Sequence, residues 1–211
     1  LDKDIKSLTN HKVDVLFLPT KEEMYDRVPN VNIPSSDLFN KLEGCSRPHF
    51  FYGVTTIVAK LFNVIKPTHT FFGEKDAQQL RIIQEMIVNM KYSIECISCM
   101  TIRHKNGLAL SSRNQYLTNE EQNKASIIFQ GLTKVKGALE RGQKNPVLAK
   151  KIFTELIQEV PGITIDYISI ACSKTLEEVE KIVDKKLLVS TAVFFKGVRL
   201  IDNFTYSSSS T

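Results

Sequence analysis

The 211-residue sequence contains no apolar run that approaches the roughly 20 residues needed to cross a bilayer, so no membrane-spanning helix is expected. It also contains no arginine-rich arm and no zinc-finger motif, and its formal charge of +5 is modest and spread along the chain. A nucleic-acid partner is therefore not expected. No signal peptide is visible, and because residue 1 is leucine we expect the natural N-terminus to lie upstream.

Cysteine is scarce, with four residues in the chain. Cys96 and Cys99 have the Cys-x-x-Cys spacing of some zinc and redox sites, but no second such pair completes four ligands. The surrounding residues 94–100 have the composition of a buried strand. We therefore expect free cysteines in a reducing cytoplasm and no metal site built from protein ligands.

The apolar content is sufficient for a packed globule, at 42% hydrophobic against 24% charged residues. Short apolar runs predict strands at 13–18, 69–72 and 94–102. Helical spacing of apolar residues predicts one helix that ends before Pro67 and another that begins at Asp76. This alternation predicts a parallel sheet covered by helices within residues 1–103.

After Arg103 the pattern changes to that of a smaller α+β unit, over residues 104–211. Thr118-Asn-Glu-Glu121 has the sequence of a capping box and begins a long helix that we expect to end near Gly142. Asn145-Pro146 begins a second helix. Strands are predicted at 163–170, 187–195 and 198–201, the last two joined by a hairpin turn at Lys196-Gly197.

The segment Phe71-Phe-Gly-Glu-Lys-Asp-Ala-Gln-Gln-Leu80 joins a predicted strand to a predicted helix. Lys75 and the N–H groups of the helix N-terminus form an anion site, and Asp76, Gln78 and Gln79 can hold hydroxyl groups. Ligands of parallel sheets bind at the carboxyl ends of the strands. The segment therefore predicts a site for a phosphate-bearing, polyhydroxylated ligand such as a nucleotide. The alternative is a solvated first helical turn, with Asp76 placed for the helix dipole.

A second candidate is the loop Leu110-Ser111-Ser112-Arg113-Asn114. Arg113 can bridge two phosphate oxygens, and each serine can donate one hydrogen bond. The alternative is an ordinary turn in which the serines cap a helix.

A third candidate is the segment from Glu43 to Gly53, in which Arg47 and His49 can contact an anion. The alternative for His49 is a loop histidine whose ring is satisfied by backbone or water. We interpret His11 and His69 as structural or solvated, and His104 has no metal partner at ligand spacing.

Taken together, these segments resemble the pantothenate synthetases, the pantoate–β-alanine ligases. The resemblance extends over roughly residues 13–203 and is specific because its blocks occur in order. The blocks are Glu43-Gly44 with Arg47-Pro48 and Gly53-Val54, Lys60-Leu-Phe-Asn63, Phe72-Gly73-Glu74-Lys75-Asp76-x-Gln78-Gln79-Leu80, Gly107-Leu-Ala109 into Ser111-Ser112-Arg113-Asn114-x-Tyr116-Leu117, and Arg199-Leu-Ile-Asp202-Asn203.

The resemblance implies a fold, a reaction, a cellular location and an oligomeric state. The fold is an α/β, Rossmann-like nucleotidyltransferase domain, incomplete here, over residues 1–103, followed by a small α+β lid domain over residues 104–211. The reaction uses ATP with Mg²⁺ to convert pantoate to pantoyl adenylate and pyrophosphate. The amine of β-alanine then displaces AMP to give pantothenate. Family members are cytoplasmic homodimers, so a second copy of the chain is the expected protein partner.

The resemblance also implies roles for individual residues. Lys75 corresponds to the catalytic, phosphate-binding lysine, Gly73 and Asp76 to the ribose contacts, and Gln79 to the pantoate-binding amide. The remaining residues that it marks are Ser111, Ser112 and Arg113 in the triphosphate-binding loop, Ile102 and Leu110 beside the adenine, and Arg47 and His49 as candidates for binding the substrate.

Two departures from the family pattern keep alternatives open. The family begins with a Pro-Thr-Met-Gly segment and a His-x-Gly-His that this sequence lacks, so we expect the N-terminal part of the first domain to be missing. Counted without gaps, the family histidine of the third segment falls on Phe50, and a one-residue shift restores His49. The alternatives are a non-catalytic nucleotide-binding fragment and another adenylate-forming nucleotidyltransferase. The double glutamine argues against the latter.

Overall fold

The computed structural model describes residues 1–27, 30–183 and 186–207. Among these residues the α-helices are α1 (Asp2–Asn10), α2 (Glu43–Ser46), α3 (Phe50–Ile65), α4 (Ala77–Asn89), α5 (Asn119–Ala125), α6 (Ile127–Glu140) and α7 (Pro146–Gln158). The strands are β1 (His69–Gly73), β2 (Glu95–Cys99), β3 (Ile163–Cys172), β4 (Leu187–Phe195) and β5 (Val198–Tyr206). Short 3₁₀ helices lie at Asp37–Asn40, Glu74–Asp76 and Ser112–Tyr116, and a π-helical turn at Glu23–Arg27. The end of the second predicted unit, residues 208–211, lies outside the described residues.

The N-terminal part is built on a parallel strand pair with α3 and α4 packed against it. Strands β1 and β2 pair in parallel, with Phe71 opposite Ile97. Helix α3 ends at Ile65, before Pro67, as the sequence predicts, because a residue before proline is disfavoured in helical conformation. Helix α4 contributes Ile83, which is completely buried, to the apolar cluster shared with α3. The predicted alternation of helix and parallel strand is thus confirmed for this part.

The C-terminal part is an antiparallel sheet of order β3-β4-β5 with helices α6 and α7 packed against it. Val135 and Phe153 are fully buried between the helices and the sheet. The predicted hairpin is confirmed: Lys196 and Gly197 have φ of 51° and 76°, as a two-residue turn that follows the twist of its strands requires.

The capping box at Thr118 is confirmed, since its hydroxyl accepts from the Glu121 N–H and the Glu121 carboxylate accepts from the Thr118 N–H. The single long helix predicted after it is wrong, because the helix divides at Ser126 into α5 and α6. The Ser126 hydroxyl donates to the Asn123 carbonyl at 2.6 Å. Such side-chain bonding to nearby carbonyls competes with the helical ladder.

The strand predicted at residues 13–18 is absent, and these residues pair with no strand of the described chain. Val15 is 81% exposed. A strand needs a hydrogen-bonded neighbour, and in the described part of the chain β1 pairs only with β2.

The expectation that residues 94–100 are buried is also wrong, since Cys99 is exposed and Met100 is 80% exposed. Apolar composition does not by itself determine whether a second layer covers a strand.

The two parts contact each other along α4. Ile82 of α4 packs with Leu188 of β4 in a separate apolar cluster. Arg81 of the same helix donates from Nε to the carbonyl of Lys174, at 2.8 Å. Of the helices in the described ranges, none is long and apolar enough to cross a membrane.

Candidate active site

A cavity of about 90 Å³ lies where the turn after β1 faces β5. Its walls come from four separate stretches of the chain: residues 42–51, residues 75–79, the loop at residue 113 and the C-terminal sheet. Six residues selected from the sequence line it: Arg47, Lys75, Asp76, Gln78, Gln79 and Arg113. The structure thus brings together residues that are up to 66 positions apart in the sequence, counted from Arg47 to Arg113.

The turn at residues 74–76 presents Lys75 and the start of α4 to this cavity. Residues Glu74–Asp76 form a 3₁₀ turn, and α4 follows at Ala77. The Lys75 side chain has no hydrogen bond or ion pair with any residue in the described ranges. An ammonium without a partner beside a helix N-terminus is suited to bind an anion.

The two adjacent glutamines have different roles. Gln78 is buried, and its amide nitrogen donates to the carbonyls of Leu38 and Lys41, both at 2.7 Å. Its amide oxygen accepts from the Glu43 N–H at 2.9 Å. The expectation that Gln78 holds a ligand hydroxyl is therefore wrong, because its donors and acceptor are used by the loop that precedes α3. Gln79 lines the cavity and makes no side-chain hydrogen bond with the described part of the chain.

The loop at residues 111–114 combines a helix cap with groups that face the cavities. The Ser111 hydroxyl accepts from the Arg113 N–H at 3.3 Å and so caps the 3₁₀ helix Ser112–Tyr116. Arg113 donates from Nη1 to the Arg199 carbonyl at 3.0 Å. Ser111, Arg113 and Lys75 also line a smaller space of about 10 Å³ next to the main cavity. One serine, one guanidinium and one ammonium therefore line the same small space, and all three are groups that can bind phosphate oxygens.

A buried ion cluster borders the cavity, and we did not expect it from the sequence. Glu43, only 8% exposed, binds Arg199 through both carboxylate oxygens, with Nη2 3.2 Å from Oε1. Arg199 also donates to Asp166 from Nε and Nη2, at 3.0 and 2.5 Å, and the Tyr167 hydroxyl donates to Glu43 at 2.8 Å. Glu43 and Arg199 both lie in blocks that carry the family resemblance, but they are 156 positions apart, and no spacing rule joins them.

The cluster shifts the acidity of its members. Burial raises the pKa of Tyr167 well above its ordinary value, and the charge of Glu43 raises it further. Burial lowers the pKa of Arg199, but the hydrogen bonds and charges of Glu43 and Asp166 outweigh burial and raise it overall. The pKa of Arg47 is lowered by burial and by the charge of Arg113. The charge of Arg113 therefore acts on Arg47 within the cavity lining, and a bound anion would relieve the repulsion between the two guanidinium groups.

The structure does not bring the other predicted site residues into these cavities. Ile102 and Leu110 are 67% and 44% exposed, and they are neighbours because the Leu110 N–H donates to the Ile102 carbonyl at 2.9 Å. His49 is exposed and precedes α3 with φ of 66°. Ser112 and Gly73 are exposed as well. Across the residues described, no group of three or more His, Cys, Asp or Glu side chains is arranged to hold a metal ion.

Comparison with known sequences points to one family. The family model described as Pantoate-beta-alanine ligase matches residues 1–205. The chain is 40% identical over 203 residues to the pantothenate synthetase of Thermosipho africanus, a match that covers 96% of this chain and 72% of that protein. It is 42% identical over 209 residues to the pantothenate synthetase of Clostridium acetobutylicum, covering 98% of this chain and 73% of that protein.

Solved structures agree with the sequence comparison. Pantothenate synthetase from Thermus thermophilus matches with a TM-score of 0.89 and 34% identity, over 96% of this chain and 73% of that chain. Pantoate-beta-alanine ligase from Francisella tularensis, complexed with beta-gamma ATP and β-alanine, matches with a TM-score of 0.72 and 31% identity, over 96% and 69% of the two chains. These likenesses confirm the predicted fold class, an α/β nucleotidyltransferase-like fold with a second, α+β part.

Proposed function

Because the chain belongs to the pantoate–β-alanine ligase family, we propose that it joins pantoate to β-alanine through a pantoyl-adenylate intermediate. Its enzyme class, an ATP-dependent ligase of these two substrates, follows from the family. In the first step a pantoate carboxylate oxygen bonds to the α-phosphorus, and the bond to the β-phosphate oxygen breaks to release pyrophosphate. In the second step the deprotonated amine of β-alanine bonds to the acyl carbon, and AMP leaves with the bonding electrons.

The observation that supports this proposal most strongly is the convergence of Lys75, Ser111 and Arg113 on one space beside the N-terminus of α4. Phosphoryl transfer needs positioning and charge stabilisation rather than a protein nucleophile. Lys75 and Arg113 supply two positive charges for the α- and β-phosphates, and Ser111 and Ser112 supply hydroxyl donors. The Francisella relative, which was solved with beta-gamma ATP, supports a triphosphate as the ligand.

The remaining residues are assigned to the other parts of the substrates. Asp76 accepts hydrogen bonds from the ribose hydroxyls, and the Gly73 N–H donates to the same sugar. Gln79, whose amide faces the cavity, holds the pantoate hydroxyl or carboxylate. Arg47 also faces the cavity and attracts the pantoate carboxylate.

Three residues at the edge of the site complete the proposal. Ile102 and Leu110 are exposed neighbours, and the adenine ring packs against the apolar surface that they form. His49, exposed at the start of α3, contacts the substrate from outside the cavity.

Magnesium fits this site only as an ion carried by the nucleotide. The described residues contain no cluster of three acidic, histidine or cysteine ligands. Mg²⁺ in nucleotide enzymes keeps several waters and is commonly held through substrate phosphates and one or two carboxylates. Asp76 and Glu74 are the carboxylates beside Lys75, and the ion would supply further positive charge to the phosphate oxygens.

We also propose the domain division at residue 104, a homodimeric assembly and a cytoplasmic location. The division is supported by the two apolar clusters, one within the N-terminal part and one within the C-terminal part. The cytoplasmic location is supported by the four cysteines, none of which forms a disulfide.

Release of AMP from ATP tests the proposed function. The chain is incubated with ATP, Mg²⁺, pantoate and β-alanine, and AMP and pantothenate are measured together. We expect one AMP for each pantothenate, and no AMP when pantoate is omitted. AMP release with other carboxylates but not with pantoate would instead indicate another adenylate-forming enzyme. ATP binding without any AMP release would indicate a non-catalytic nucleotide-binding protein.

A Gly73→Ala variant tests the assigned ribose contact. Gly73 has φ of −72° and ψ of 133°, which alanine adopts freely, and an added Cβ would have no heavy atom within 4 Å. We therefore expect an unchanged melting temperature. The KM for ATP should rise about tenfold, because a methyl group then occupies space needed by the nucleotide. An unchanged KM would remove Gly73 from the site.

A further inference from the structure

Asn203 of β5 holds the backbone of the proposed phosphate-binding turn. Its amide nitrogen donates to two consecutive carbonyls, those of Glu74 at 3.0 Å and Lys75 at 2.9 Å. These two residues are about 130 positions away in the sequence and belong to the other part of the chain. Asn203 also lines the main cavity, so the contact lies at the site.

Asn203 is itself held in place by an ion pair whose carboxylate is buried. The Asp202 carboxylate, 3% exposed, accepts two hydrogen bonds from Arg103, at 2.6 and 2.9 Å. The same Asp202 carboxylate accepts from the Asn203 N–H at 2.8 Å. Arg103 in turn lies over the ring of Phe129, 4.7 Å from its centre, and donates to the Gly107 carbonyl. A bidentate pair of this kind is geometrically specific.

We propose that Asn203 is a positioning residue that sets Lys75 at its working distance from the phosphates, an inference that rests on the proposed function. Asn203 does not need to touch the reacting atoms. Asn203 links the Arg103–Asp202 pair to the backbone of the turn at Glu74 and Lys75. The C-terminal sheet therefore determines the position of this turn. A displacement of about 1 Å at a catalytic group can cost on the order of a hundredfold in rate. The sequence block that ends in Asp202-Asn203 therefore serves to position Lys75.

The test combines Asn203→Ala with Lys75→Ala in a double-mutant cycle, with the dissociation constant of Mg²⁺-ATP measured by calorimetry. We expect Asn203→Ala to weaken ATP binding about tenfold and to have no further effect in the Lys75→Ala background, because the two residues act through one contact. Hydrogen exchange of residues 73–79 should also become faster in Asn203→Ala. Faster exchange confined to residues 73–79, together with a loss of affinity that depends on Lys75, does not follow from a general loss of stability.

The matched control is Asn106→Ala. Asn106 is another amide that donates to a backbone carbonyl, that of Gln122 at 3.4 Å, but it does not line either cavity. We expect it to leave ATP binding and exchange at residues 73–79 unchanged. If Asn203→Ala does not fold, Asn203→Leu, which removes the donors at similar size, takes its place in the cycle.

Three results would overturn the inference. One is unchanged exchange and affinity in Asn203→Ala. Another is an equal loss of affinity with and without Lys75, which would mean that Asn203 acts by another route. The third is a wild-type chain that binds no ATP, and this result identifies failure of the proposed function itself because it appears before any variant is made.

Discussion

Replacing Lys75 with alanine should lower the rate of AMP release on the order of 10²- to 10³-fold. The loss is large because negative charge develops on the phosphate oxygens in the transition state, and a fixed ammonium stabilises that charge where water is excluded. The Lys75 amine has no partner in the described ranges, so its removal leaves no buried group unpaired. We therefore expect the melting temperature to stay the same. Steady-state assays of AMP release and a thermal melt measure the two effects together.

Lys134→Ala provides the matched control for this variant. Lys134 is exposed on α6 and forms no ion pair with the described residues. Its replacement removes the same charge from the protein, so it separates a local effect from a change in net charge. AMP release in Lys75→Ala at the rate of the control would remove Lys75 from the site.

Replacing Arg199 with alanine should lower the free energy of unfolding by about 3–5 kcal/mol. Arg199 is the shared partner of the Glu43 and Asp166 carboxylates, whose side chains are only 11% and 23% exposed. Without it, two partly buried negative charges lie close together with no compensating cation. Urea unfolding of the wild type and the variant measures the difference.

A double-mutant cycle with Glu43→Gln separates the pair from the rest of the fold. Once Glu43 is neutral, loss of Arg199 should cost less than it does in the wild type, because one unpaired charge is gone. Arg141→Ala is the control: Arg141 is exposed and makes no ion pair in the described part of the chain, so its loss should cost no more than about 0.5 kcal/mol. Additive losses in the cycle would show that Arg199 does not stabilise the protein through Glu43, which leaves Asp166 and packing as its contributions.

Local features of the fold could be predicted because the residues that determine them are close in sequence. The capping box at Thr118, the end of α3 before Pro67 and the Lys196-Gly197 turn each depend on residues a few positions apart. The break at Ser126 was missed because a serine hydroxyl can point to solvent or bond a carbonyl, and only packing decides which it does.

The candidate site could be predicted in part. Lys75, Gln79 and Arg113 carry their chemistry in their own side chains, and the structure places all three around one cavity. Gln78 shows the limit of such reasoning. The amide nitrogen of Gln78 donates to the carbonyls of Leu38 and Lys41, and no local sequence pattern predicts these contacts.

The sequence by itself determined the family, the helix and strand content around Lys75, and the types of charged group available to a phosphate. Only the tertiary structure decided which of these groups share a cavity. It also decided that Glu43 pairs with Arg199 and that Asn203 holds the backbone of Lys75. The physical reason is that hydrogen bonds and ion pairs act over about 3 Å. Partners more than a hundred positions apart meet at that distance only after the two sheets have packed together.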